Sequence, residues 1–149
     1  MEKIAWNLRI TAVGREPATV YVRKHQFKVG IPLQFDEDYG HITALEYALG
    51  ALGADLVGGL QVVARKRRIK LDNVEAVLSG EIDNALTYLG VVGEEGHPGL
   101  KRVTVTVYVS SIAPQEDIRG LWEEMLQRSP LVRTLEDAIN LDLVLKVVV

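Results

Sequence analysis

Two hydrophobic periods run through this chain, and the switch between them marks its first boundary. Ile4, Trp6, Leu8 and Ile10 alternate with Ala5, Asn7, Arg9 and Thr11, and Val20 and Val22 alternate with Thr19, Tyr21 and Arg23. After a reversal near Lys24 and His25, the set Phe27, Val29, Ile31 and Leu33 alternates again. Apolar residues at every second position give a strand one buried face, so three N-terminal strands are predicted, with Gly14-Arg15-Glu16-Pro17 turning the first into the second. The period then lengthens. Leu45, Leu49, Leu52, Leu56, Leu60 and Val63 recur at helical spacing and fall on one stripe. Just before them, after an acidic loop at 36–40, Thr43 and Glu46 stand in the S/T-x-x-E relation of a capping box. In that motif each side chain satisfies a backbone N–H of the first turn, so the long helix should begin there.

The second half returns to alternation. A strand is predicted from Val74 to Ile82, followed by a loop with Gly90, Gly93, Gly96, His97, Pro98 and Gly99. Val103, Val105, Val107 and Val109 then alternate with Arg102, Thr104, Thr106 and Tyr108, a strand with one buried and one polar face. Pro114 suits the first position of a helix that carries Ile118, Leu121, Trp122, Met125 and Leu126 on one side. Ser129-Pro130 reads as a cap and first-turn proline for a short helix to about Ala138, and 141–149 alternates as a last strand. The order βββ-α-ββ-αα-β indicates an α+β fold in one domain, 1–149.

Within the long helix, residues 47–64 carry one charge, Asp55. A carboxylate in apolar surroundings takes up a proton or finds a partner, because a stranded buried charge costs several kcal/mol or more. At helical spacing its neighbours are Ala48, Ala51, Leu52, Gly58, Gly59 and Val62, mostly small residues that let another backbone approach. Asp55 therefore faces a tight helix contact or a pocket. At about 18 residues the run barely reaches a membrane span, and its central Asp and four glycines favour a helix buried in protein. The Arg65-Lys66-Arg67-Arg68 sequence after it, followed by Lys70, complements the helix dipole or meets an anionic partner.

Composition narrows the chemistry. With 20 acidic and 17 basic residues and a net charge of -3, the chain lacks the footprint of a nucleic-acid binder. There is no cysteine, which excludes disulfides, thiolate metal sites and any cysteine nucleophile. The histidines His25, His41 and His97 show no metal-ligand spacing, and no metal or cofactor is expected. The N-terminus enters a strand pattern with no apolar targeting stretch, which predicts a cytoplasmic protein.

The helix sequence Ala-Leu-Glu-Tyr-Ala-Leu-Gly-Ala-Leu-Gly-Ala-Asp-Leu at 44–56, the later Ser-Pro-Leu-Val at 129–132, and Pro98-Gly99-Leu100 entering a valine-rich strand resemble the OsmC/Ohr family over nearly the whole chain. The resemblance implies an intertwined homodimer, with antiparallel sheets wrapped around long central helices and two pockets at the subunit interface. Active members reduce hydroperoxides with a reactive cysteine on the central helix, a resolving cysteine at the later helix start, and an arginine and a glutamate that orient the first. Position by position, the two cysteines fall on Asp55 and Ser129, the glutamate on Leu45 with Glu46 beside it, and the arginine on Arg15 in the turn after the first strand.

A sulfenic acid and disulfide cycle is unavailable to carboxylate or hydroxyl oxygen, so the chain is expected not to be a thiol peroxidase. The leading expectation is a non-catalytic homodimer whose interface pocket, near Glu46, Ala51, Gly58 and Gly59, takes a small hydrophobic or amphipathic ligand. Asp55 has three readings: paired to an arginine across the dimer or to hydroxyls, contacting a cationic or hydroxylated ligand, or serving as an acid/base group in another class of enzyme. Ser129 is a plain N-cap or a nucleophile. An oxidative-stress role through partner proteins is a further alternative. Trp6, Trp122, Tyr47 and Tyr88 are expected in the core or at an interface.

Overall fold

A computed structural model describes residues 1–148. The elements are β1 (Leu8–Thr11), β2 (Ala18–Val22), β3 (His25–Val29), α1 (Ala44–Lys66), β4 (Asn73–Ile82), α2 (Ala85–Tyr88), β5 (Leu100–Ser110), α3 (Gln115–Arg128), α4 (Pro130–Leu135) and β6 (Asn140–Val148). The predicted order is present, with a one-turn helix added inside the loop between β4 and β5. The chain divides into two compact units, the first from Met1 to Gly50 and the second from Ala51 onward.

In the first unit β1, β2 and β3 form an antiparallel meander in sequence order. The expected first strand is shortened, because Leu8 pairs with Val22 and the chain then turns at Arg23 and Lys24, leaving Ile4 and Trp6 no strand partner among the described residues. Ile31 and Leu33 likewise lie beyond β3, past Gly30 and next to Pro32. Between β1 and β2, Gly14 takes φ +57° in a turn closed by the Glu16 N–H to the Val13 carbonyl at 3.0 Å, a backbone shape that glycine adopts without strain. Phe27 and Tyr47 meet with ring centroids 5.2 Å apart.

The second unit holds the core. Strands β4 and β5 pair antiparallel, and β5 and β6 pair parallel, the crossover between them being α3 and α4. Val103, Val105, Val107 and Val109 are buried, with Leu52, Leu56, Leu60 and Val63 of α1 and Ile118, Leu121, Trp122 and Met125 of α3. Complete burial of each such aliphatic side chain contributes about 1.5–3 kcal/mol. Pro114 precedes α3 as its N-cap, one position earlier than expected, and α4 ends at Leu135. Among the described residues α1 is the one helix whose length and apolarity would suit a membrane span. Its middle carries Asp55, and Leu52, Leu56 and Leu60 of its stripe are buried in the core.

Candidate functional site

Each unit contains one of the two helix caps that the sequence predicts. At the start of α1 the Thr43 N–H donates to Glu46 Oε1 at 3.0 Å, and the Glu46 N–H donates to Thr43 Oγ1 at 3.1 Å, the reciprocal pair that the sequence predicts. The Thr43 backbone N–H, and after it the Thr43 side chain, hold the Glu46 carboxyl below the usual glutamate range. Ser129 ends α3, its N–H bonding the Met125 carbonyl at 2.8 Å, and opens α4 with Pro130 in the first turn. Its Oγ accepts from the Val132 N–H at 3.1 Å. The same buried hydroxyl donates to Asp55 Oδ2.

That contact joins residues 74 positions apart and ties α1 to the α3–α4 corner. It forms because the helices approach closely at Gly59, where an added Cβ would lie 2.8 Å from Met125 Cγ. Gly58 faces open space instead, with nothing within 4 Å of an added Cβ, so the two adjacent glycines have different physical reasons. Further along, Glu124 of α3 accepts from Arg67 Nη2 at 2.8 Å and Arg128 Nη2 at 3.0 Å, a clamp on the far end of the same helix pair.

Asp55 is half-buried, and it lines a cleft of about 290 Å³ with Gly59, Val62, Val63, Lys66, Met125, Arg128, Ser129 and Pro130. Asp55 Oδ1 accepts no hydrogen bond among the described residues, and the one buried, unpartnered side-chain polar atom there is Thr87 Oγ1. The free oxygen therefore faces accessible space. Ser129 has no comparable freedom, since its hydroxyl proton and one lone pair are both engaged. The arrangement can bind a hydrogen-bond donor or a cation at Asp55, and the surrounding valines, methionine and proline can take an apolar body.

Asp55, Ser129 and Gly59 are thus brought together. Ala51 and Gly58 lie on α1 outside the lining of this cleft. Glu46 lines a separate polar recess of about 170 Å³ in the first unit, with Asp36, Glu37 and His41 among its neighbours. Leu45 is half-buried in the first turn of α1, and Arg15 is exposed in the β1–β2 turn. No group of three or more His, Cys, Asp or Glu among the described residues could hold a metal ion. The expected pocket residues did not include Lys66, placed with the basic run at the end of α1, nor Val63, Met125, Arg128 and Pro130. A signal for some of them existed: Asp55, Gly59, Val62, Val63 and Lys66 share one helical face at i, i+4, i+7, i+8 and i+11.

The OsmC-like protein family pattern matches residues 36–144. No curated protein sequence matches the chain. Among solved structures, an OsmC-like protein from Mycoplasma pneumoniae superposes with a TM-score of 0.80 at 14% identity, over 100% of both chains. An organic hydroperoxide resistance protein OsmC from Legionella pneumophila gives 0.69 at 14% identity, covering 97% of this chain and 99% of its own. The organic hydroperoxide resistance protein OhrB of Bacillus subtilis gives 0.60 at 18% identity, covering 95% and 98%. These likenesses establish the fold, and the pattern match over most of the sequence establishes the family: the chain belongs to the OsmC-like proteins.

Proposed function

We propose that this protein is a cytoplasmic, non-catalytic OsmC-like homodimer, in which the cleft at the Asp55–Ser129 pair holds a small amphipathic molecule instead of reducing a hydroperoxide. The observation that carries this reading is the state of Asp55, bonded to Ser129 through one oxygen and open to an apolar-walled cleft through the other. A carboxylate serving structure alone would be sealed and fully partnered. The absence of any cysteine removes the thiolate, sulfenic acid and disulfide on which the family's peroxide chemistry rests.

Dimerisation is supported by what the single chain leaves uncovered. Ile4, Trp6, Ile10 and Val13 are 59–78% exposed. Soluble monomers rarely leave such a set of large apolar side chains in water. Light scattering on the purified protein is expected to give twice the 16.5 kDa chain mass. Native mass spectrometry of the same sample should resolve an adduct or accept an added amphipath. A stable monomer that binds none would overturn the proposal.

A further inference from the structure

Resting on the reading of this cleft as a binding site, we infer that its occupant is charged or polar at both ends: a donor, ammonium or hydroxyl, facing Asp55 and an anionic group facing Lys66. The two residues lie on one face of α1, eleven positions apart. Eleven residues of helix rise about 16 Å. The flexible Lys66 stem leans toward the N-terminus of the helix and shortens the span that an occupant must cross. Between the two charges the wall is apolar, formed by Val62, Val63 and Met125.

The available cation is Lys66. Arg128 also lines the cleft, but its guanidinium is already paired with Glu124 at 3.0 Å, whereas Lys66 has no salt bridge among the described residues. The two ends differ in stringency. Lys66 is exposed and keeps its water when no anion arrives, so an uncharged tail there costs little. Asp55 is half-buried against apolar neighbours, and a hydrocarbon end pushed against its free oxygen would strip water from a carboxylate and return no hydrogen bond. The cleft should therefore reject a plain fatty carboxylate and prefer a neutral zwitterionic or hydroxy-acid amphipath of medium length.

The chain has two methionines, Met1 and Met125, so its ¹³C-methyl methionine NMR spectrum has one reporter in the cleft and one at the N-terminus. Titration of the full-length protein with 8-aminooctanoate, octylamine and octanoate should shift the Met125 signal and leave Met1 still. From charge-assisted hydrogen bonding, 8-aminooctanoate is expected to bind about tenfold tighter than octanoate, with octylamine between them. Asp55→Asn, whose amide oxygen can still accept from Ser129, should bring 8-aminooctanoate and octanoate to within about twofold. Lys66→Gln, at an exposed position, should weaken 8-aminooctanoate about threefold and leave octylamine unchanged. Equal affinity of the three probes for the wild type would overturn the two-ended occupant while leaving the binding cleft in place. A Met125 signal that none of them moves would overturn the cleft reading itself.

Discussion

Replacing Ser129 with alanine removes two hydrogen bonds at one atom, and their sizes can be separated. The first is the N-cap of α4, where Oγ accepts from the Val132 N–H at 3.1 Å. Loss of a serine cap to alanine costs about 1 kcal/mol. The second is the bond to Asp55 Oδ2. A hydrogen bond to a charged group is worth about 1.5–3 kcal/mol, but Asp55 opens onto the cleft and water can replace the lost donor, which brings the net to about 1 kcal/mol. Ser129→Ala should therefore destabilise by about 2 kcal/mol. Urea unfolding at one fixed protein concentration is the assay, since the proposed dimerisation would make apparent stability depend on concentration. In an Asp55→Ala background the same substitution should lose the cap alone, leaving a coupling of about 1 kcal/mol in the double-mutant cycle. A coupling below about 0.3 kcal/mol would refute the claim that this pair ties α1 to the α3–α4 corner.

Three further outcomes follow from the same geometry. Gly59→Ala places a Cβ 2.8 Å from Met125 Cγ, an overpacking of about 1–3 kcal/mol against a helix-propensity gain of about 1, so it should destabilise in urea and also shift the Met125 methyl signal. Gly58→Ala meets nothing within 4 Å in the chain and should gain about 0.5–1 kcal/mol, unless a second copy covers that face, in which case light scattering will show the dimer weakened. For Glu46, whose carboxyl is held low by Thr43, the contribution to stability is complete above the unfolded pKa of about 4.3 and is lost as pH falls through the lower folded value. Glu46→Gln should flatten the melting temperature against pH below about 4.3 and leave the shape of the profile above it unchanged.

Features written in adjacent residues were legible in the sequence. The Thr43–Glu46 box, the Ser129-Pro130 helix start and the β5 alternation each need only neighbouring positions, and each is present. What depends on a distant partner was not. The start of β1 is set by where β2 stops offering hydrogen bonds, which no alternation of Ile4 and Trp6 can reveal. Gly58 and Gly59 are indistinguishable in the sequence, and only the position of Met125 on α3 separates them. Lys66 and Arg128 follow the same rule, because a cleft wall made by two helices belongs to neither alone. The family resemblance placed Asp55 and Ser129 at the two thiol positions, which periodicity could not, and the structure shows that the two side chains meet. The lack of cysteine, read from composition, then fixed which chemistry the pair cannot perform.

The site keeps the position of the family's thiol pair, and the proposal is that it lacks the reaction. The most direct test is hydroperoxide consumption by the purified wild-type protein, with tert-butyl or cumene hydroperoxide as substrate and a dithiol as reductant. The expected rate equals that of buffer with reductant at every protein concentration, with Asp55→Asn no different. Turnover that rises with protein concentration and falls in Asp55→Asn would contradict it.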